Sequence, residues 1–224
     1  MPTSLPRGEH TRPLAVGDKM VYDFRLEAVD PKGQSLGGVQ GTLTAEVQKG
    51  YKHGPVPKKI SKTYHISERL DMKGGSTAQI EWAGQASDGT LYFLGKLDEG
   101  KEWVLAKDSG LRTNIPAVLS EGSSWKSTLR LSNGKTETET CKVVGIEKVE
   151  TPAGEFEAYK TKVESRASDG RRLSGYQWLR PEFPRPIKVR LDSWNTNTAK
   201  KGKQHIEEEL ESYKFAKQKR YRAI

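Results

Sequence analysis

Between Met20 and Ala28 the chain keeps a two-residue rhythm. Met20, Tyr22, Phe24, Leu26 and Ala28 are apolar, and Asp23, Arg25 and Glu27 between them are charged. Successive side chains of a strand point to opposite faces, so this rhythm predicts a half-buried β-strand. Pro31-Lys32-Gly33 ends it, and Val39, Leu43, Ala45 and Val47 predict a second strand. Ile60, Tyr64, Ile66 and Leu70 share one parity of a third, with His65 on the other. Ala78, Ile80 and Trp82 mark a fourth. Ser87-Asp88-Gly89 is a turn signal that leads into Leu91–Leu94, and Trp103-Val104-Leu105 predicts a short strand.

The rhythm lapses from Asp108 to Ser124, where Asn114-Ile115-Pro116 and Glu121-Gly122 predict a long connection. It resumes at Trp125 with Leu129 and Leu131. Asn133-Gly134 then predicts a hairpin, because both residues tolerate positive φ. Thr136, Thr138 and Thr140 lead the return strand to Val144, and Pro152-Ala153-Gly154 turns the chain into Phe156 and Ala158. Asp169-Gly170 precedes Leu173, Tyr176, Trp178 and Leu179, and three prolines (181, 184, 186) lead into Ile187, Val189 and Leu191. Gln204–Phe215 is ambiguous. Its Glu207-Glu208-Glu209 run favours a helix by propensity, whereas its place after a long β succession favours a strand, which is the reading carried forward.

These elements predict an all-β chain, a large curved antiparallel sheet or half-barrel of about ten to twelve strands. No strand–helix alternation and no repeat of 20–50 residues appears, which argues against a parallel α/β fold, a propeller and a solenoid. The expected organisation is an unstructured lead-in over 1–15, one β domain over 16–215 with a candidate seam at 108–124, and a basic tail over 216–224.

Composition adds charge and little chemistry. The 224 residues carry a formal net charge of +9, with cations clustered at Lys200, Lys201 and Lys203, at Lys217, Lys219, Arg220 and Arg222, and around Lys58 and Lys59. Such clusters favour anionic partners: phospholipid head groups, lipopolysaccharide or nucleic acid, the last ranked lowest. The single cysteine, Cys141, excludes an internal disulfide and reads as a small buried strand residue. No segment has the apolar length of a membrane-spanning helix. Met1–Arg12 lacks an apolar core, so no signal peptide is read; the chain is intracellular or an exported protein shown without its signal.

Three stretches carry a family resemblance: Glu121-Gly122-Ser123-Ser124-Trp125; the run from Val144-Gly145-Ile146-Glu147 through Thr151-Pro152-Ala153-Gly154-Glu155-Phe156 to Lys160; and Tyr176-Gln177-Trp178-Leu179-Arg180-Pro181. They resemble a set of uncharacterised bacterial envelope proteins, over roughly residues 121–194. The resemblance implies a curved half-barrel like that of the lipoprotein-carrier proteins, placed in the periplasm or outer envelope and without known enzymatic activity. The chain departs from the pattern at Pro184-Arg185-Pro186, where a glycine is expected before the closing strand.

The sequence contains no nucleophile elbow, no phosphate-binding glycine loop and no metal-ligand spacing among its four histidines, so no catalytic residue, metal or cofactor is expected. The expected function is a non-enzymatic envelope protein that holds a lipid or acyl chain on a concave sheet face. Trp82, Trp125, Phe156 and Trp178 are the candidate lining residues, because ligand pockets are mostly apolar. The alternatives are a protein-interaction module with a packed core, binding an envelope partner, and nucleic-acid binding through the basic clusters.

Overall fold

The computed structural model describes residues 11–50, 56–98, 100–106, 109–196 and 202–216. Among these, every regular element is a strand: β1 Lys19–Val29, β2 Ser35–Lys49, β3 Ile60–Met72, β4 Gly75–Ala86, β5 Leu91–Asp98, β6 Lys101–Val104, β7 Arg112–Ile115, β8 Ser124–Arg130, β9 Thr136–Thr151, β10 Gly154–Ala167, β11 Arg171–Leu179, β12 Lys188–Asn195 and β13 Lys203–Lys214. The thirteenth strand beyond the expected count comes from β7, inside the stretch read as a connection. Four residues are too few to show alternation.

All pairings are antiparallel, in the order β6-β5-β4-β3-β2-β1-β13-β12-β11-β10-β9-β8, with β7 paired to β5. The last strand therefore joins the two halves of the chain. Its register explains why the glutamate run is extended. Glu207 lies between Arg25 and Arg190, and Glu209 between Asp23 and Lys188. Arg190 Nε donates to Glu207 Oε1 at 2.6 Å, and Lys188 pairs with Glu209. The three opposite-charge pairs, to Arg25, Arg190 and Lys188, each contribute about 0.2–1 kcal/mol and favour the extended form, while Asp23 opposite Glu209 is held by Arg25.

The sheet bends at bulges that leave Val144 of β9 and Glu211 of β13 without a partner opposite. The bend brings the two sheet ends together without a continuous ladder, and the sheet stays open. An isolated bridge joins Leu105 to Leu131, flanked by the bonds Ala106 N–Arg130 O and Ser132 N–Val104 O, both 2.8 Å. β7 helps to span the gap: Trp125 Nε1 donates to Thr113 O at 3.1 Å, and Thr113 N donates to Ser127 Oγ at 3.0 Å.

One large core fills part of the concave side, with Met20, Tyr22, Ala45, Val47, Ile66 and Leu210 among its buried members. Met20, Val47, Ile66 and Leu210 each contribute about 1.5–3 kcal/mol on burial. Trp82, Phe93, Leu94, Leu105, Leu129 and Leu131 form a second cluster near the meeting sheet ends. Residues 11–15, expected to be unstructured, carry no regular element but are packed: Leu14 is buried and Thr11 bonds to Ala117 O and Pro116 O. Asp18 anchors this segment. Its fully buried carboxylate accepts from Arg12 at 2.6 and 2.9 Å, from Ala15 N and from Ala216 N.

Candidate functional site

Three of the four predicted lining residues belong to the main core or pack against it, and the fourth lies in the second cluster. Trp82 sits in the second cluster, on the face of β4 opposite to its neighbour Glu81. Trp125 is half-buried against the main core. Phe156 is buried edge-on to Phe183, with ring centroids 6.0 Å apart. Trp178 is buried on β11, and its Nε1 donates to Glu147 Oε1 at 2.6 Å. Of the basic clusters, Lys203 lies on β13 with Nζ 5.7 Å from the Trp194 ring centroid. Lys200, Lys201, Lys217, Lys219, Arg220 and Arg222 lie outside the described residues.

A cavity of about 510 Å³ lies elsewhere on the concave side. Its apolar wall is Phe24, Leu43, Ile66, Leu70 and Ile115, from β1, β2, β3 and the end of β7. Thr77 and Ala78, both exposed, lie at its edge. Six charged residues, Glu68, Glu81, Arg112, Glu139, Arg185 and Glu208, share the lining with Gln79, Asn114, Gln177, Pro184 and Pro186.

Strand parity puts these charges inside. Glu68 follows Tyr64 and Ile66 on the inward face of β3, and the register pairs Ile66 with Glu81 on β4. Glu139 precedes Cys141 and Val143 on the inward face of β9, and Glu208 follows Ile206 on β13. Arg112 comes from β7, 4.1 Å above the Phe93 ring. The bulge at Asn114 directs its amide to Glu81 Oε1 at 2.7 Å.

Two ionic groups result. In the first, Arg185 pairs with Glu68, which also accepts from Gln79, and lies 3.4 Å from Glu208 Oε2. Arg185 belongs to the Pro184-Arg185-Pro186 segment between β11 and β12. In the second, Arg112 Nη1 is 3.5 Å from Glu137 Oε1, close to Glu81 and Glu139. Burial raises the pKa of Glu81, partly offset by Arg112, the Asn114 hydrogen bond and Lys96. Burial likewise raises Glu139, against the pull of Arg112. Burial disfavours the Arg112 charge, but Glu139, Glu81 and Glu137 outweigh it and hold its pKa above the ordinary value. Burial and the nearby Glu139 push the Cys141 thiol up, which keeps it protonated and unreactive.

The cavity's ionic wall was within reach of the sequence. Glu68 stands on the same parity as Tyr64, Ile66 and Leu70, and Glu137 and Glu139 on that of Cys141 and Val143. A carboxylate on the apolar side of a strand is the signal. The arrangement can bind and can exchange protons; among the described residues no group of three or more His, Cys, Asp or Glu is placed to hold a metal ion.

No protein-family model matches the chain, and no curated protein does. Two solved structures resemble it. One is a candidate exported protein with a YmcC-like fold from Bacteroides fragilis NCTC 9343, 14% identical, covering 92% of this chain and 100% of that one, with a TM-score of 0.45. The other is a candidate lipoprotein from Parabacteroides distasonis ATCC 8503, 13% identical, covering 93% of this chain and 100% of that one, with a TM-score of 0.37.

Proposed function

We propose that this is a non-enzymatic binding protein of the bacterial cell envelope that holds a small amphiphile, a short apolar chain with a polar head, on the concave side of its sheet. The carrying observation is the cavity of about 510 Å³ in which apolar side chains from β1, β2, β3 and β7 are interleaved with charged ones from β3, β4, β7, β9, β13 and Arg185. That volume falls within the roughly 300–1,000 Å³ of small-molecule sites. The placement in the envelope rests on the resemblance carried by residues 121–194. The mixed lining of the cavity revises the expected ligand: a wholly apolar chain would leave the carboxylates facing it unsolvated.

The test is titration with the neutral fluorescent probe N-phenyl-1-naphthylamine, beside native mass spectrometry of protein purified from a bacterial host. Saturable binding at one site, lost when Leu70→Trp fills the apolar wall, is the expected result. Absence of both saturable probe binding and co-purified amphiphile overturns the proposal.

A further inference from the structure

The cavity and the chain carry opposite charge. The whole protein has a formal charge of +9. The cavity wall presents four carboxylates, Glu68, Glu81, Glu139 and Glu208, against two guanidinium groups, Arg112 and Arg185. Just behind the wall stand one more group of each sign, Glu137 beside Arg112 and Lys96 paired across β4–β5 with Glu81. The excess of two negative charges is therefore unchanged by the nearest neighbours.

Each group carries one excess negative charge, but the two groups meet it differently. Arg185 is shared by Glu68 and Glu208. Arg112 meets Glu137 and is the one guanidinium near both Glu81 and Glu139. Glu81 has the Asn114 amide as a hydrogen-bond donor, and Glu139 the weak thiol of Cys141 at 3.8 Å. Both carboxylates thus reach the cavity with less positive charge than they need in a medium where charges interact far more strongly than in water. Two things can supply the balance: a proton, or a cation brought by the ligand. Phe24, Leu43 and Leu70 line the same cavity and suit the chain attached to such a cation.

We propose that the cavity selects amphiphiles with a cationic, amine-type head group, seated against Glu81 and Glu139. This rests on the amphiphile-binding reading above and assigns its ligand class. Ligand and proton then compete for the same carboxylates, so binding displaces any proton held there and weakens as pH falls. The raised pKa values of both carboxylates agree with that competition.

The experiment compares three probes that share a twelve-carbon chain, each below its micelle concentration: dodecylamine, laurate and dodecyl maltoside. Each is titrated against the full chain loaded with N-phenyl-1-naphthylamine at pH 7.5 and pH 4.5. Dodecylamine is expected to displace the naphthylamine at a concentration at least tenfold below laurate at pH 7.5, and to lose most of that advantage at pH 4.5. The double variant Glu81→Gln/Glu139→Gln, with its fold checked by circular dichroism, is expected to bind the three probes within about threefold of one another, since each tenfold of preference is about 1.4 kcal/mol of head-group interaction. If that variant does not fold, the wild-type comparison decides by itself. Laurate or maltoside displacing the naphthylamine as well as dodecylamine at pH 7.5 overturns the charge assignment and leaves the amphiphile reading intact. Failure of all three, with no saturable naphthylamine binding, overturns both.

Discussion

Replacing Arg112 by methionine removes one positive charge from the centre of the second ionic group and keeps most of the side-chain bulk over the Phe93 ring. Glu81, Glu137 and Glu139 then face one another without a guanidinium among them. At the 3.5 Å separation of Arg112 and Glu137 the gross attraction is roughly 5 kcal/mol with an effective dielectric constant of about 20. Part of that is offset by the cost of desolvating the arginine, which the variant no longer bears. Truncating one partner of a buried pair typically costs about 3–5 kcal/mol. The two side chains here remain 19% and 22% exposed, which argues for the low end. A loss of about 3 kcal/mol at pH 7.5 is expected, equivalent to a drop in Tm of about 6–12 °C for a chain of this length.

The pH dependence separates this account from simple loss of packing. Without Arg112, Glu81 and Glu139 lose the guanidinium that offsets their burial, so their folded-state pKa values rise still further above their unfolded values. A carboxyl raised on folding destabilises the fold when ionised, and that penalty disappears as pH falls toward the unfolded value. Urea denaturation of wild type and Arg112→Met at pH 7.5 and 4.5 reads this directly. The difference should shrink to about 1 kcal/mol or less at pH 4.5. An equal loss at both pH values, or a loss below about 1 kcal/mol at pH 7.5, refutes the reasoning.

Three further outcomes follow from the same structure. Glu139→Gln should be more stable than wild type at pH 8, because burial raises this carboxyl and its ionised form opposes folding; the gap should close as pH falls toward 4.5, and a gap that widens on acidification contradicts the sign. Asp18→Asn removes the charge that pairs with Arg12 in a fully buried site, and should cost about 3–5 kcal/mol in urea denaturation, with less than about 1 kcal/mol counting against the anchoring role. Phe183→Ala empties a buried ring position that packs against Phe156, Tyr213 and Phe215 at centroid distances of 6.0, 4.9 and 5.1 Å. It should cost about 3–5 kcal/mol and reduce the near-ultraviolet circular dichroism of the aromatic group.

The period-two pattern by itself determined that the chain is built from antiparallel strands. The pattern is local: each strand records its own two faces, and Asn133-Gly134, Pro152-Ala153-Gly154 and Asp169-Gly170 record their own turns. The glutamate run of β13 was legible only by its position, since its extended form depends on Arg25, Arg190 and Lys188 from strands distant in sequence. β7 was missed because four residues, one of them a bulge, hold no rhythm.

Only the tertiary structure decided where the cavity is. The large aromatic residues Trp82, Phe156 and Trp178 are buried in packed clusters, whereas the lining falls to Phe24, Leu70 and a set of carboxylates. Strand order put Glu68 and Glu81 beside each other, and the curl of the sheet brought Glu139 and Glu208 to face them. Arg185 enters from a proline-flanked loop whose path no local pattern encodes. Inward parity can be read from one strand, but the charge enclosed by a sheet is a sum over strands that only their pairing defines.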